Sequence, residues 1–172
     1  MQGYGIQGRR APELRVPEWL ANTGGNDLQL ADITEPIIVL YNFQSWCPGC
    51  HSHGFPSIIE LRDGLRRHGI DHAVKFVLIQ TVFEGHESNT ADDARSSVER
   101  HGLTDLPLGH DAGHPPTVMA DYLTGGTPWT VIIGPERTVL HNSFHIDAEQ
   151  LLPAFARIIE HHESSEQGRR DD

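Results

Sequence analysis

At 172 residues, 37% hydrophobic and 22% charged, the chain is long enough for one domain that buries about 70% of its unfolded surface. Its formal charge of −11, with Lys75 the only lysine among 13 basic residues, argues against nonspecific binding to nucleic acid or to anionic membrane, since both are polyanions. No apolar run approaches the ~20 residues of a membrane span, and residues 1–20 lack the apolar centre of a secretory signal, so the expected location is cytoplasmic.

Residues 1–26, rich in Gly, Pro, Asn and Arg, read as an irregular lead-in. Leu28-Gln29-Leu30 is a candidate edge strand, and Ile37–Phe43 (IIVLYNF) is a buried one. From Pro48 the pattern turns helical, with Ile58, Ile59, Leu61 and Leu65 at helical spacing and Gly69 as the stop. Pro56 lies inside that segment and is expected to kink it. Ala73–Val82 is a second buried strand, which makes the first half a βαβ unit with parallel pairing. Ser88–His101 reads as a polar helix capped by Asn89 or Thr90. Leu106-Pro107-Leu108 is a short strand candidate, and Val118–Leu123 a short helix. Trp129–Ile133 and Thr138–Asn142 form a hairpin about Gly134–Arg137. A last amphipathic helix runs from Asp147 to His162, burying Leu151, Leu152, Phe155, Ile158 and Ile159. The expected fold is α/β over residues 27–162: a central mixed β-sheet flanked by helices on both faces, with a helical insert between the βαβ and ββα halves. Residues 163–172 contain no apolar side chain and read as a flexible acidic tail.

The only two cysteines, Cys47 and Cys50, sit where the buried strand gives way to a helix. Two are too few for a disulfide-stapled scaffold, and so small a loop constrains the unfolded chain least. Reactivity is the better reason for the pair. A helix N-terminus offers unpaired N–H groups and a positive dipole end to Cys47, and Pro48 suits the first helical position. Such cysteines have a pKa lowered from ~8.5 to ~7 or below, worth at least ~2 kcal/mol of thiolate stabilisation. Cys50 lies one turn later and is expected to be more buried. Cys47 therefore attacks and Cys50 resolves.

Trp46-Cys47-Pro48-Gly49-Cys50 after a buried strand resembles the active site of the thioredoxin superfamily. Gly126-Thr127-Pro128 before the hairpin is similar to that family's cis-proline loop. The lead-in, Ala11-Pro12-Glu13-Leu14 and Leu30-Ala31-Asp32-Ile33, and the insert resemble the TlpA/ResA branch and its peroxiredoxin-like relatives. This resemblance implies a thioredoxin-like fold and a thiol–disulfide oxidoreductase, a reductase if cytosolic. It implies protein disulfides or small thiols as substrates, a recycling reductase as partner, a monomer and no cofactor. Pro128 would be cis, Thr127 would offer its backbone to an extended substrate segment, and Trp46 would give apolar ground beside the sulfurs. Trp129 reads as a core residue.

The sequence also departs from the family. The usual buried acid falls on Tyr41, or on Asn42 after a one-residue shift, and the ResA-type helix glutamate is replaced by His51-Ser52-His53. His51 or His53 is a candidate for proton transfer, set against both being solvated surface histidines. Rival readings are a thiol peroxidase with Cys47 as peroxidatic cysteine, although Gln44 stands where that signature has Thr, and a non-catalytic binding module. Cys47 to His51 also spells a haem-attachment motif, without the flexible loop and export signal that reading needs. Zinc lacks a fourth ligand, so no metal is expected.

Overall fold

A strand with no polar stripe belongs in the middle of a sheet covered on both faces, and the run Ile37–Phe43 is placed there. In the computed structural model, which describes residues 3–171, the chain runs β1 (Glu18–Ala21), β2 (Ile37–Phe43), α1 (Phe55–Arg67), β3 (Val74–Thr81), α2 (Ala91–Arg100), β4 (Leu108–Asp111), α3 (Thr117–Tyr122), β5 (Trp129–Ile133), β6 (Val139–Ser143) and α4 (Ala148–Arg170). The strands form one mixed sheet in the order β1-β4-β3-β2-β5-β6. β2, β3 and β4 are parallel neighbours. The β5–β6 hairpin runs antiparallel beside β2, and β1 closes the other edge antiparallel to β4.

Alternation along β2 divides the core in two. Ile37, Val39, Tyr41 and Phe43 point to the face covered by α1, α2 and α4, where they meet Phe55, Ile58, Val98 and Phe155. Ile38 and Leu40 point to the other face, covered by α3 and the lead-in through Val118, Tyr122, Ile6 and Leu14. Helices thus flank both faces, and the insert of α2, β4 and α3 separates the two halves as expected.

Three local expectations are corrected. Leu28–Leu30 is not a strand; Leu30–Asp32 is a single 3-10 turn that drops Leu30 into the core. The lead-in is less irregular than its composition suggests, because β1 pairs with β4 and Val16 is buried; a four-residue edge strand is too short for its alternation to be read. Residue 26 therefore marks no structural break. Pro56 lies inside a helical run that is continuous from Pro48 to Arg67, and its missing N–H is met by a change of winding. The turn before it, Cys50–Gly54, is π-helical. Finally, α4 continues beyond His162 to Arg170, so the expected tail is helical through that residue. Its Glu, Gln and Arg residues are good helix formers, and Glu166 pairs with Arg170 one turn on at 3.9 Å. Among the described residues no helix is long and apolar enough to cross a membrane.

Candidate active site

β2 delivers the chain to the dithiol. After Phe43 a tight turn forms as the Cys47 N–H donates to Gln44 O (3.1 Å), and helical backbone begins at Pro48. The Cys50 N–H then points back at Cys47, 3.2 Å from its Sγ. Cys47 is partly exposed, whereas Cys50 is fully buried. Both are free thiols, and Cys50 Sγ donates to Cys47 Sγ. That hydrogen bond, helped by backbone N–H groups of Cys50 and Gly49, lowers the Cys47 pKa to about 6 against the opposing cost of burial. Burial first, and then its bond to Cys47, push the Cys50 thiol far up. One sulfur is thus set to be a thiolate at neutral pH and the other to keep its proton.

The hairpin side supplies the facing wall. The Thr127–Pro128 peptide is cis, Thr127 is partly exposed and Pro128 buried. Cys47 Sγ lies 3.6 Å from Thr127 O, to which it donates only while protonated. Pro128 packs on the dithiol turn at two glycines: a Cβ on Gly49 would lie 3.6 Å from Pro128 Cδ, and one on Gly54 only 2.8 Å from Pro128 Cβ. A Cβ on Gly54 would also collide with Tyr41 Oη, so glycine is required there by space. Tyr41 stands in place of the family's buried acid. Its hydroxyl donates to Cys50 O at 3.0 Å, and burial raises its pKa far above the usual phenol range. It serves as a neutral donor to the turn.

Three buried amides, none of them predicted as a site residue, fasten this turn. Gln80 Oε1 accepts from the Ser45 N–H at 3.0 Å and from the Ser45 hydroxyl. Asn89 Oδ1 accepts from the Trp46 N–H at 3.1 Å, while its Nδ2 holds Glu84 O and Gly85 O. Gln44 connects Phe83 to Thr127. The cap of α2 is Thr90, in a reciprocal box with Asp93, which frees Asn89 for the site. A polar residue at the end of an apolar strand, as at Gln44, was the readable signal.

The other predicted residues separate. Trp46 is half-exposed with its indole edge at Gly85, and Trp129 is buried with its indole N–H on Asn142. His51 has both ring nitrogens engaged, Nε2 with Ser45 O at 2.7 Å and Nδ1 with His101 Nε2 at 2.9 Å. His101 in turn stacks on Phe55 with centroids 4.2 Å apart. His53 is exposed and bonds its own neighbour Ser52. Among the described residues no group of three or more His, Cys, Asp or Glu is placed to hold a metal ion.

No family model matches the chain, and neither does any curated protein. Solved structures do. A thioredoxin-like superfamily protein is 32% identical over 87% of this chain and 95% of its own, with a TM-score of 0.72. A thiol-disulfide isomerase from Corynebacterium glutamicum is 25% identical over 86% and 96%, with a TM-score of 0.67. A thioredoxin-like protein from Aeropyrum pernix, 14% identical over 81% and 88%, shares the fold at a TM-score of 0.60. With the sheet order, the dithiol at the end of β2 and a match at this identity and coverage, the chain belongs to the thioredoxin-like superfamily.

Proposed function

We propose that this protein is a dithiol–disulfide oxidoreductase in which Cys47 attacks and Cys50 resolves. The observation that carries the proposal is the asymmetry of the pair: Cys47 is partly exposed and faces the Cys50 N–H at 3.2 Å, whereas Cys50 is fully buried, an arrangement that lowers the Cys47 pKa and raises that of Cys50. A thiolate is the attacking species, and a pKa near ambient pH is close to the optimum for attack.

The Cys47 thiolate attacks one sulfur of a substrate disulfide. A mixed disulfide forms, and the other substrate sulfur leaves as a thiolate that takes a proton from solvent. Cys50, its proton passing to solvent, then attacks Cys47 Sγ and expels the second substrate sulfur. Two electrons move from the dithiol to the substrate, leaving Cys47–Cys50 oxidised and the substrate as two thiols. An extended substrate segment would lie along Gly126-Thr127-Pro128 and pair with Thr127 backbone, with the exposed Trp46 ring as its apolar neighbour. Protein disulfides or small disulfides are the substrate class, and a separate reductase would restore the dithiol. We assign the reducing direction for a chain working in a reducing compartment. The lead-in and the insert support the TlpA/ResA branch.

The test is titration of the pair in glutathione buffers, together with trapping by Cys50→Ser. A reversible two-electron transition near or below the glutathione poise, with partners captured through Cys47, is expected. A pair that never cycles, or a trap that captures nothing while Cys47 stays reactive, would leave the fold without this function.

A further inference from the structure

We propose that Tyr4, Leu123 and Phe144 form a side-chain subsite that selects polypeptide substrates carrying an aromatic or large aliphatic residue one or two positions from the reacting cysteine. This deepens the reading above by naming its substrate class, and it rests on Cys47 being the attacking group. Among the described residues five large apolar side chains are exposed: Tyr4, Trp46, Leu123, Leu140 and Phe144. Single exposed apolar residues are ordinary on a protein surface, whereas a contiguous group marks an interaction site. Trp46 lies at Gly85 and Leu140 at Gly134. The other three gather on one short segment, residues 123–126, which leads directly into Thr127.

The Gly5 N–H donates to Leu123 O at 2.8 Å, which lays the lead-in along this segment. The Tyr4 ring is thereby brought against Gly125, where a Cβ would lie 2.9 Å from Tyr4 Cγ and Cδ2. A Cβ on Gly126 would lie 3.2 Å from Phe144 Cε1. Two rings from distant parts of the chain thus reach adjacent glycines. Both meet Trp129 edge-to-face, Tyr4 with centroids 6.1 Å apart and Phe144 with centroids 4.6 Å apart. Trp129 is itself buried and held by its indole N–H on Asn142. The rings are therefore placed before a substrate arrives, which reduces the ordering cost of binding. Residues 122–135 contain no charged side chain, in a chain of formal charge −11, so an uncharged apolar residue is what this segment suits. Strand spacing gives the position. Thr127 O lies 3.6 Å from Cys47 Sγ, so a substrate paired with Thr127 brings its cysteine there. Paired strands advance about 3.3 Å per residue, and the next substrate positions run along Gly126 and Gly125, beside the two rings.

The probes are two synthetic peptides, each with a single cysteine disulfide-bonded to thionitrobenzoate, that differ only in carrying Phe or Ser at the positions flanking that cysteine. Attack of the Cys47 thiolate on the peptide sulfur forms the mixed disulfide and expels thionitrobenzoate as a coloured thiolate. The second-order rate constant of the reduced full-length chain is read from that colour and divided by the rate constant of dithiothreitol, which removes the intrinsic reactivity of each peptide. The Phe peptide should react roughly ten-fold faster than the Ser peptide. Tyr4→Ser combined with Phe144→Ser should bring that ratio below about three-fold, Phe144→Leu should keep most of it, and Leu140→Ser should leave it as in wild type. Damage to the dithiol turn would slow both peptides together, so the ratio reports the subsite alone. If the double variant does not fold, Tyr4→Ser is read in the same way. A wild-type ratio near one, or a ratio that survives loss of the rings, overturns the proposal. So does a patch covered by a second copy, seen as a wild-type dimer whose ratio falls toward one as the protein is concentrated. No colour from either peptide, with Cys47 still open to alkylation, would instead overturn the functional reading beneath it.

Discussion

Replacing Gly54 with alanine adds one methyl group at the point where the dithiol turn, β2 and the cis-proline loop converge. Gly54 has φ −63° and ψ −62°, a conformation open to alanine. The substitution therefore carries no backbone strain and should gain ~1 kcal/mol of helix propensity. Against this, the new Cβ would overlap Tyr41 Oη and lie 2.8 Å from both Tyr41 Cζ and Pro128 Cβ. Overpacking costs ~1–3 kcal/mol, and with three atoms inside contact distance and a fully buried strand behind them the upper end applies. The net loss is then about 2 kcal/mol. For a urea slope of ~2 kcal/mol/M the midpoint falls by about 1 M. In a Tyr41→Phe background the nearest atom is gone, so the same substitution should cost ~1 kcal/mol less. Equal midpoints for Gly54→Ala and wild type, or equal costs in the two backgrounds, would refute this packing account.

Burial is the first cause of a lowered pKa at His101, His110 and His141. The folded chain then binds fewer protons than the unfolded chain once pH drops below the unfolded value of about 6.5. Stability contributed by these neutral rings is complete above that pH and is lost as pH falls through and beneath it. The urea midpoint should be lower at about pH 5.5 than at about pH 7.5, and His101→Phe, which keeps the stack on Phe55, should flatten the difference; a midpoint that rises on acidification would contradict the assignment. Asn89→Ala leaves the Trp46 N–H and two carbonyls without their partner, at roughly 1–3 kcal/mol. It should accelerate amide exchange at Trp46 well beyond exchange in α4, and uniform acceleration across the chain would show that Asn89 is not a local clamp.

Long elements were legible because their patterns are strong: the apolar run of β2, the strand at 74–81 and the hairpin all fall within a residue or two of their expected ends. β1 was not, since EWLA is too short to display a period. The end of α4 was missed for a different reason. A polar segment carries no burial signal, and its helix persists by propensity and i,i+4 pairing, which composition alone does not separate from a solvated tail. At the site, Cys47, Cys50, Thr127 and Pro128 announce themselves by spacing. Gln44, Gln80, Asn89 and His101 do not, because each acts through a partner 30 or more positions away in sequence. Only the tertiary arrangement discloses such pairs.

The unequal exposure of the two sulfurs gives the molecule an internal clock for its own unfolding. Cys47 can react with an alkylating reagent in the native state, whereas Cys50 is sealed beneath it in the π-helical turn that leads into α1. Once Cys47 is replaced by serine, modification of Cys50 must wait for the surrounding structure to open. The rate at which that single thiol is labelled, followed as denaturant is varied, therefore separates local loosening of the dithiol turn from global unfolding without any added probe.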